Sequence, residues 1–196
     1  MPWPDVTIYF VRHGQTDWNA ERRFQGQLDI PLNDTGRVQA ARNGAALATL
    51  IAEPAGIHFI SSPLGRATET MEIVRRALAL DPTDYRTDPR LREIHAGAHQ
   101  GCLVDEIFGD GTAHAAAYAA DPWNFPHPGG ESYAMLSARV RDWLGEVRRD
   151  TVVTAHGGVM RCLRRHVEGQ DTTEAVKLSA PQDRVLVIRD GVLNWI

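Results

Sequence analysis

Short apolar runs alternate with stretches of helical periodicity along most of this chain. Residues 6–11 (Val-Thr-Ile-Tyr-Phe-Val) are β-branched and aromatic, and they predict a short buried strand. Residues 57–61 predict a second strand and residues 151–155 a third. Asp34 or Thr35 opens a predicted helix with Val38, Ala41, Ala45, Ala48 and Ile51 on one stripe. Arg66 begins another, in which Met71, Val74 and Leu78 recur at helical spacing. The clearest amphipathic stripe is Leu136, Val140, Trp143, Leu144 and Val147. Near the end, two apolar runs flank Asp190-Gly191, a strong hairpin signal. The alternation predicts an α/β fold over residues 1–196. It is a single three-layer domain with a mostly parallel central sheet, helices on both faces and a C-terminal hairpin. The stretch of about 94–128 breaks the rhythm with Gly, Pro, an Ala-rich piece and several aromatics. It predicts a lid-like insert of short helices above the sheet edge.

Two of the predicted strands end in the same chemistry. Arg12-His13-Gly14 follows the first, and His156-Gly157-Gly158 follows the third. Ligands of α/β proteins bind at the carboxyl ends of strands. Two such His-Gly steps predict one pocket with two imidazoles facing a common ligand.

Composition narrows the class. The 196 residues suffice for one domain with a full core. Hydrophobic residues make up 43% and charged residues 23%, ordinary for a soluble globular chain. No apolar run approaches the roughly 20 residues of a membrane span. The first residues lack the basic and apolar regions of a signal peptide, which predicts a cytoplasmic protein with no membrane partner. A net charge of −4 argues against a nucleic-acid partner. The two cysteines, Cys102 and Cys162, read as unpaired thiols. Lys177 is the sole lysine, so the basic groups are almost all arginine, whose planar fork suits phosphate.

The segment from Arg12 to Asn19 (Arg-His-Gly-Gln-Thr-Asp-Trp-Asn) resembles the signature of the histidine phosphatase superfamily, in its phosphoglycerate-mutase-like branch. Further matches follow in order. They are Gln25-Gly26 with Pro31-Leu32 and Gly36, then Ser61-Ser62-Pro63-Leu64-Gly65-Arg66-Ala67, then Leu91-Arg92-Glu93. Pro128-Gly129-Gly130-Glu131-Ser132 and Ala155-His156-Gly157-Gly158-Val159 complete the series.

The resemblance implies a metal-independent and cofactor-free phosphomonoester hydrolase acting on a small phosphorylated metabolite. His13 is the candidate nucleophile, forming a phosphohistidine while its other ring nitrogen holds a proton against a backbone carbonyl. Gly14 is expected to let the chain bend and approach the phosphate. Arg12 and Arg66 are the candidate phosphate clamps, and a helix N-terminus beside Arg66 is expected to add backbone donors. His156, surrounded by phosphate charge, is expected to be protonated and to donate to an equatorial oxygen. Glu93 is the candidate general acid, which calls for a carboxyl protonated near neutral pH. Asn19, Gln25, Gly26 and the Gly157 amide look like the family's substrate contacts.

The chain also departs from the family pattern. Ala96 stands where an aromatic residue is usual, His99 where Trp is common, and Gln100 in place of Glu. No Lys or Arg occurs between Arg92 and Arg139, the region that in the mutase branch holds the substrate's second anionic group. Burying a second anion without partners costs several kcal/mol, on the order of 2–7 for a merely polar group. This argues against mutase activity and for a neutral or aromatic leaving group, against which Phe108, Tyr118, Trp123 and Phe125 are available. The alternatives are a phosphoglycerate mutase or a non-catalytic phospholigand-binding protein on the same fold. A zinc or iron hydrolase is opposed by arginines placed beside the histidines. Sugar phosphates, nucleotides, cofactor precursors and phosphoproteins all fit as substrates, and a homodimer stays open as an assembly.

Overall fold

The computed structural model describes residues 5–196. Ile8–Arg12 forms β1, and its side chains alternate between two apolar cores, as a strand buried on both faces requires. Ile8 and Phe10 enter one core, with Leu136, Val140 and Trp143 of α6 (Tyr133–Leu144) and Val159, Met160 and Leu163 of α7 (Gly157–Glu168). Tyr9 and Val11 enter the other, with Leu47 of α2 (Asp34–Leu50) and Met71 and Val74 of α3 (Gly65–Ala77). Helices therefore cover both faces of the sheet.

The sheet has six strands in the order β3-β2-β4-β1-β5-β6, with β2 at His58–Ser61, β3 at Arg86–Thr87, β4 at Thr151–Ala155, β5 at Val185–Arg189 and β6 at Val192–Trp195. The first four are mutually parallel, β5 pairs antiparallel with β1, and β6 pairs antiparallel with β5. Asp190 and Gly191 both take positive φ, 52° and 73°, which suits the tight turn of this hairpin. The register brings three loops together. Arg12 stands opposite Ala155 and Ser61 opposite Thr154, so residues 13, 62 and 156 leave adjacent strands at one edge.

α2 differs from its predicted stripe. Val38 is 69% exposed, and Ala41, Ala45 and Ala48 also face outward. The buried face is Gly36, Ala40, Asn43, Gly44 and Leu47, with Ile51 just beyond the helix. The reason is close approach to α3. A Cβ on Gly44 would stand 2.7 Å from the Ala77 Cβ and 3.1 Å from the Val74 Cα. Small residues admit the neighbouring backbone here, so hydrophobicity alone selected the wrong face.

Residues 94–128 form the expected excursion. Gly97–His99 makes one 3₁₀ turn, and Val104–Phe108 (α4) and Ala115–Ala120 (α5) are short helices. Their aromatics face one another. Phe108 stacks on Tyr118 at 4.0 Å, and Phe24, Phe125, His99 and His127 pack edge-on around them. Trp123 instead joins the main core and stacks on Tyr133. Two further short helices, α1 (Asp17–Ala20) and α8 (Thr172–Ala175), lie in the loops after β1 and α7. Among the described residues, no helix is long and apolar enough to cross a membrane.

The packing of α2 on α3 gives a direct test. Gly44→Val should lower stability by about 1–3 kcal/mol through overpacking, whereas Val38→Asp on the outer face should change it by about 0.5 kcal/mol or less. Thermal unfolding of both variants reads the difference, and equal effects would contradict the face assignment.

Candidate active site

β1 delivers His13 fully into the protein, at 2% exposure, and β4 delivers His156 at 0%. Their ring centroids lie 5.1 Å apart. The His13 Nδ1–H donates to the Gly14 carbonyl at 2.7 Å, which leaves Nε2 as the unprotonated nitrogen. Burial, then Arg66, then Arg12, hold the His13 pKa well below its usual value, so the ring is neutral. The expected tautomer is the one that the hydrogen bond selects.

Arg66 lies in the first turn of α3, with Nε 3.3 Å from His13 Nε2. Its two terminal nitrogens donate to the Leu28 and Gly26 carbonyls, each at 2.7 Å. Burial brings its pKa down to about 10, against an opposing pull from Glu93. The α3 N-terminus is less available than expected, because the Gly65 N–H already donates to Asp29 at 2.8 Å. Arg12 is anchored by a bond from Nη1 to the Ala180 carbonyl, and its buried Nε has no partner among the described residues.

His156 caps α7, and its Nε2 shares a 2.7 Å hydrogen bond with Ser62 Oγ. Burial, followed by Arg66, His13 and Arg12, pushes its pKa well below 6.5. The protein by itself thus holds this ring neutral, and the imidazolium expected from the sequence requires negative charge from a bound anion.

Glu93 reaches the same edge from the other side. Its Oε1 accepts from the Ile94 N–H at 2.8 Å and its Oε2 from the Gly158 N–H at 3.1 Å. Both oxygens therefore act as acceptors of backbone protons. A Cβ on Gly158 would stand 2.3 Å from Glu93 Oε1, so the bare backbone is what admits the carboxyl.

Gly14 has a structural requirement that the sequence did not announce. A Cβ there would lie 2.1 Å from the Gly36 carbonyl oxygen, so its role is the close seating of the loop on α2. Asn19 spends its side-chain oxygen on the Thr16 N–H and hydroxyl and on Gln182, which orders the loop. Gln25 is buried, its side-chain oxygen has no partner among the described residues, and Gly26 contributes its carbonyl to Arg66. Gly157 lies between two guanidinium groups, 3.4 Å from each as measured from an ideal Cβ.

The structure thus places His13, Arg12, Arg66, His156 and Glu93 at one sheet edge. Residues 8–189 of the chain match the family model for histidine phosphatase superfamily (branch 1). The chain belongs to this superfamily. It is 37% identical over 164 residues to the probable phosphoglycerate mutase GpmB of Salmonella paratyphi B, covering 81% of this chain and 73% of that one. The counterpart from Salmonella paratyphi C is 36% identical over 163 residues, with the same coverage. The mycobacterial glucosyl-3-phosphoglycerate phosphatase, solved as a VO3 complex, superposes with a TM-score of 0.77 at 28% identity, covering 97% and 96% of the two chains. TTHB049 from Thermus thermophilus gives 0.72 at 30% identity, covering 93% of each.

Several residues of this histidine phosphatase site escaped the sequence reading. Gln182 donates to the His13 carbonyl at 3.1 Å and to Asn19 at 3.0 Å, while Asn43 donates to the Gln182 carbonyl. Arg139 donates to the carbonyls of Arg90, Arg92 and Glu93 and pairs with Glu131, fixing the strap that carries Glu93. These act through tertiary contacts that no local spacing announces. Among the described residues, no three His, Cys, Asp or Glu side chains converge as metal ligands.

Two outcomes are expected from this geometry. The unfolded chain protonates its histidines near pH 6.5, while folded His13 and His156 resist protonation until well below that value. Their contribution to stability is complete above pH 6.5 and is lost as pH falls from there toward the folded values. Each adds a slope of about 1.4 kcal/mol per pH unit in that window. Urea unfolding between pH 7.5 and 5 reads the slope, His13→Asn should reduce it, and a flat profile would contradict the burial argument. Separately, Gly158→Ala should displace the Glu93 carboxyl and lower kcat on the order of 100-fold. Its urea midpoint should move far less, and an unchanged kcat would count against Glu93.

Proposed function

We propose that this protein hydrolyses small phosphomonoesters through a phosphohistidine on His13. The observation that carries this reading is the neutral His13 ring. Its Nδ1–H is tied to Gly14, and its Nε2 stands 3.3 Å from the Arg66 guanidinium. The Nε2 lone pair attacks phosphorus, and the phosphorus–oxygen bond to the alcohol breaks. Glu93 gives its proton to the departing oxygen, then takes one from the water that attacks the phosphoryl group. The phosphorus–nitrogen bond breaks, and inorganic phosphate leaves with His13 and Glu93 restored.

Arg12 and Arg66 neutralise the charge on the phosphoryl oxygens, the dominant contribution in phosphoryl transfer. The bound dianion supplies the negative charge that His156 needs to take up a proton and donate to an oxygen. The mycobacterial phosphatase, solved with VO3 and with inorganic phosphate, supports an anionic ligand for this chain. The Salmonella relatives named as probable phosphoglycerate mutases support a second reading. In that reading the same phosphohistidine returns its phosphoryl group to a hydroxy acid instead of to water.

His13→Ala should abolish turnover of an aryl phosphate. Glu93→Gln should slow poor leaving groups far more than good ones, because a good leaving group needs little protonation. Equal losses on both would remove Glu93 from the acid role. Measuring free phosphate against 2-phosphoglycerate formed from 3-phosphoglycerate separates hydrolysis from mutase transfer.

A further inference from the structure

Three consecutive residues join the phosphate clamp to the general acid. Gly26, Gln27 and Leu28 lie in a tight turn, closed by the Leu28 N–H donating to the Gln25 carbonyl at 3.1 Å. The Gly26 and Leu28 carbonyls are the two that hold the Arg66 guanidinium. Gln27, between them, makes a different contact. Its side-chain Nε2 donates to the Glu93 carbonyl at 3.0 Å. One turn therefore touches both the arginine of the clamp and the strap that carries the acid.

The turn is itself fixed from the insert. The Gln27 N–H donates to Gln100 Oε1 at 2.8 Å. Gly26 has a φ of 54°, and a Cβ on it would collide with that same oxygen and stand 3.0 Å from the Ala96 N. A side chain at position 26 would thus displace the acceptor that Gln27 uses. Gln100 is one of the departures from the family pattern, and its amide accepts this bond without adding a negative charge to the turn.

The contact at Glu93 acts on the carboxyl through a peptide plane. The Glu93 carbonyl and the Ile94 N–H belong to one planar unit. Gln27 holds the oxygen end of that unit, and the nitrogen end donates to Glu93 Oε1 at 2.8 Å. Rotating the plane would swing the Ile94 N–H away from the carboxyl. Arg139 Nη2 donates to the same carbonyl at 2.9 Å, and the two lone pairs of the oxygen accommodate both donors. Their anchors differ. Arg139 belongs to α6 and pairs with Glu131, so it ties the strap to the body of the fold. Gln27 ties the strap to the residues around Arg66.

We propose that Gln27 is a positioning residue that, held by Gln100, sets the place of the Glu93 carboxyl relative to Arg66. The proposal rests on the phosphomonoester hydrolase reading and adds the element that keeps acid and clamp in register. Proton transfer to the departing oxygen requires the carboxyl within hydrogen-bond reach while the clamp holds the phosphoryl group. Small misplacements there are costly. The loop stays bound to the insert when either glutamine is changed. The Phe24 N–H donates to the Cys102 carbonyl at 3.0 Å, and the Gly101 N–H to the Phe24 carbonyl at 2.8 Å. The variants are therefore expected to fold.

The test uses glycerol 3-phosphate, a poor leaving group, and 4-nitrophenyl phosphate, a good one. Gln27→Leu should lower kcat on the first about 3- to 10-fold more than on the second. Gln100→Leu should give the same split and also weaken calorimetric binding of inorganic phosphate about 3- to 10-fold. Gln100→Glu keeps an acceptor oxygen and should restore both. Equal losses on the two esters, or unchanged phosphate binding in Gln100→Leu, would overturn the proposal. The Gly158 N–H donates to Glu93 Oε2 from α7, so its NMR signal reports the carboxyl directly. That signal should shift in Gln27→Leu, and an unmoved signal would overturn the proposal without any turnover. If the unmodified protein binds phosphate yet hydrolyses neither ester, the hydrolase reading fails, and the Gly158 signal alone decides the role of Gln27.

Discussion

The parallel register of β1 on β4 is the constraint on which the site depends. It sets Arg12 opposite Ala155, and the ladder continues past the strands with the His13 N–H donating to the Ala155 carbonyl at 2.9 Å. Two imidazoles then leave neighbouring strands in step. A slip of one residue would turn every side chain of β1 to the other face, exchanging the two cores and sending His13 away from His156. The burial of Ile8 and Phe10 on one side and Tyr9 and Val11 on the other penalises that slip heavily. The geometry of the histidine pair is thus a by-product of apolar packing.

Around that pair the protein concentrates positive charge with few counter-charges. His13 and His156 stay neutral because burial and nearby guanidinium groups disfavour a further proton. Arg66 is steadied by the neutral carbonyls of Gly26 and Leu28, and Arg12 by that of Ala180. Carbonyls orient an arginine without cancelling its charge, so the field at the sheet edge stays available to an incoming anion. Glu93 and Asp29 are the acidic exceptions, and backbone amides hold both.

Much of this was readable from the chain. β1, β4 and the final hairpin follow from dense β-branched runs and from Asp190-Gly191, signals local enough to survive without tertiary information. Arg12, His13, Arg66 and His156 could be named because each lies at the end or start of a predicted element within a recognisable motif, and Glu93 through the motif alone. The misreadings share a cause. The stripe assigned to α2 followed hydrophobicity, whereas Gly36, Ala40 and Gly44 are buried because they are small. At Gly14 the sequence pointed toward the phosphate and gave no sign of the seating on the backbone of Gly36. Gln182 and Arg139 each act across more than 15 residues of sequence, through hydrogen bonds that only the folded chain creates.

The mutual seating of Gly14 and Gly36 also bears on how such a protein can diversify. A Cβ on Gly36 would stand 2.1 Å from the Gln15 carbonyl oxygen, just as one on Gly14 would meet Gly36. The floor beneath the nucleophile is therefore main chain pressed on main chain, with no side chain left to exchange. Change is therefore left to other parts of the chain, where side chains and not main chain make the contacts. Reactivity and selectivity are thereby inherited through separate parts of the chain.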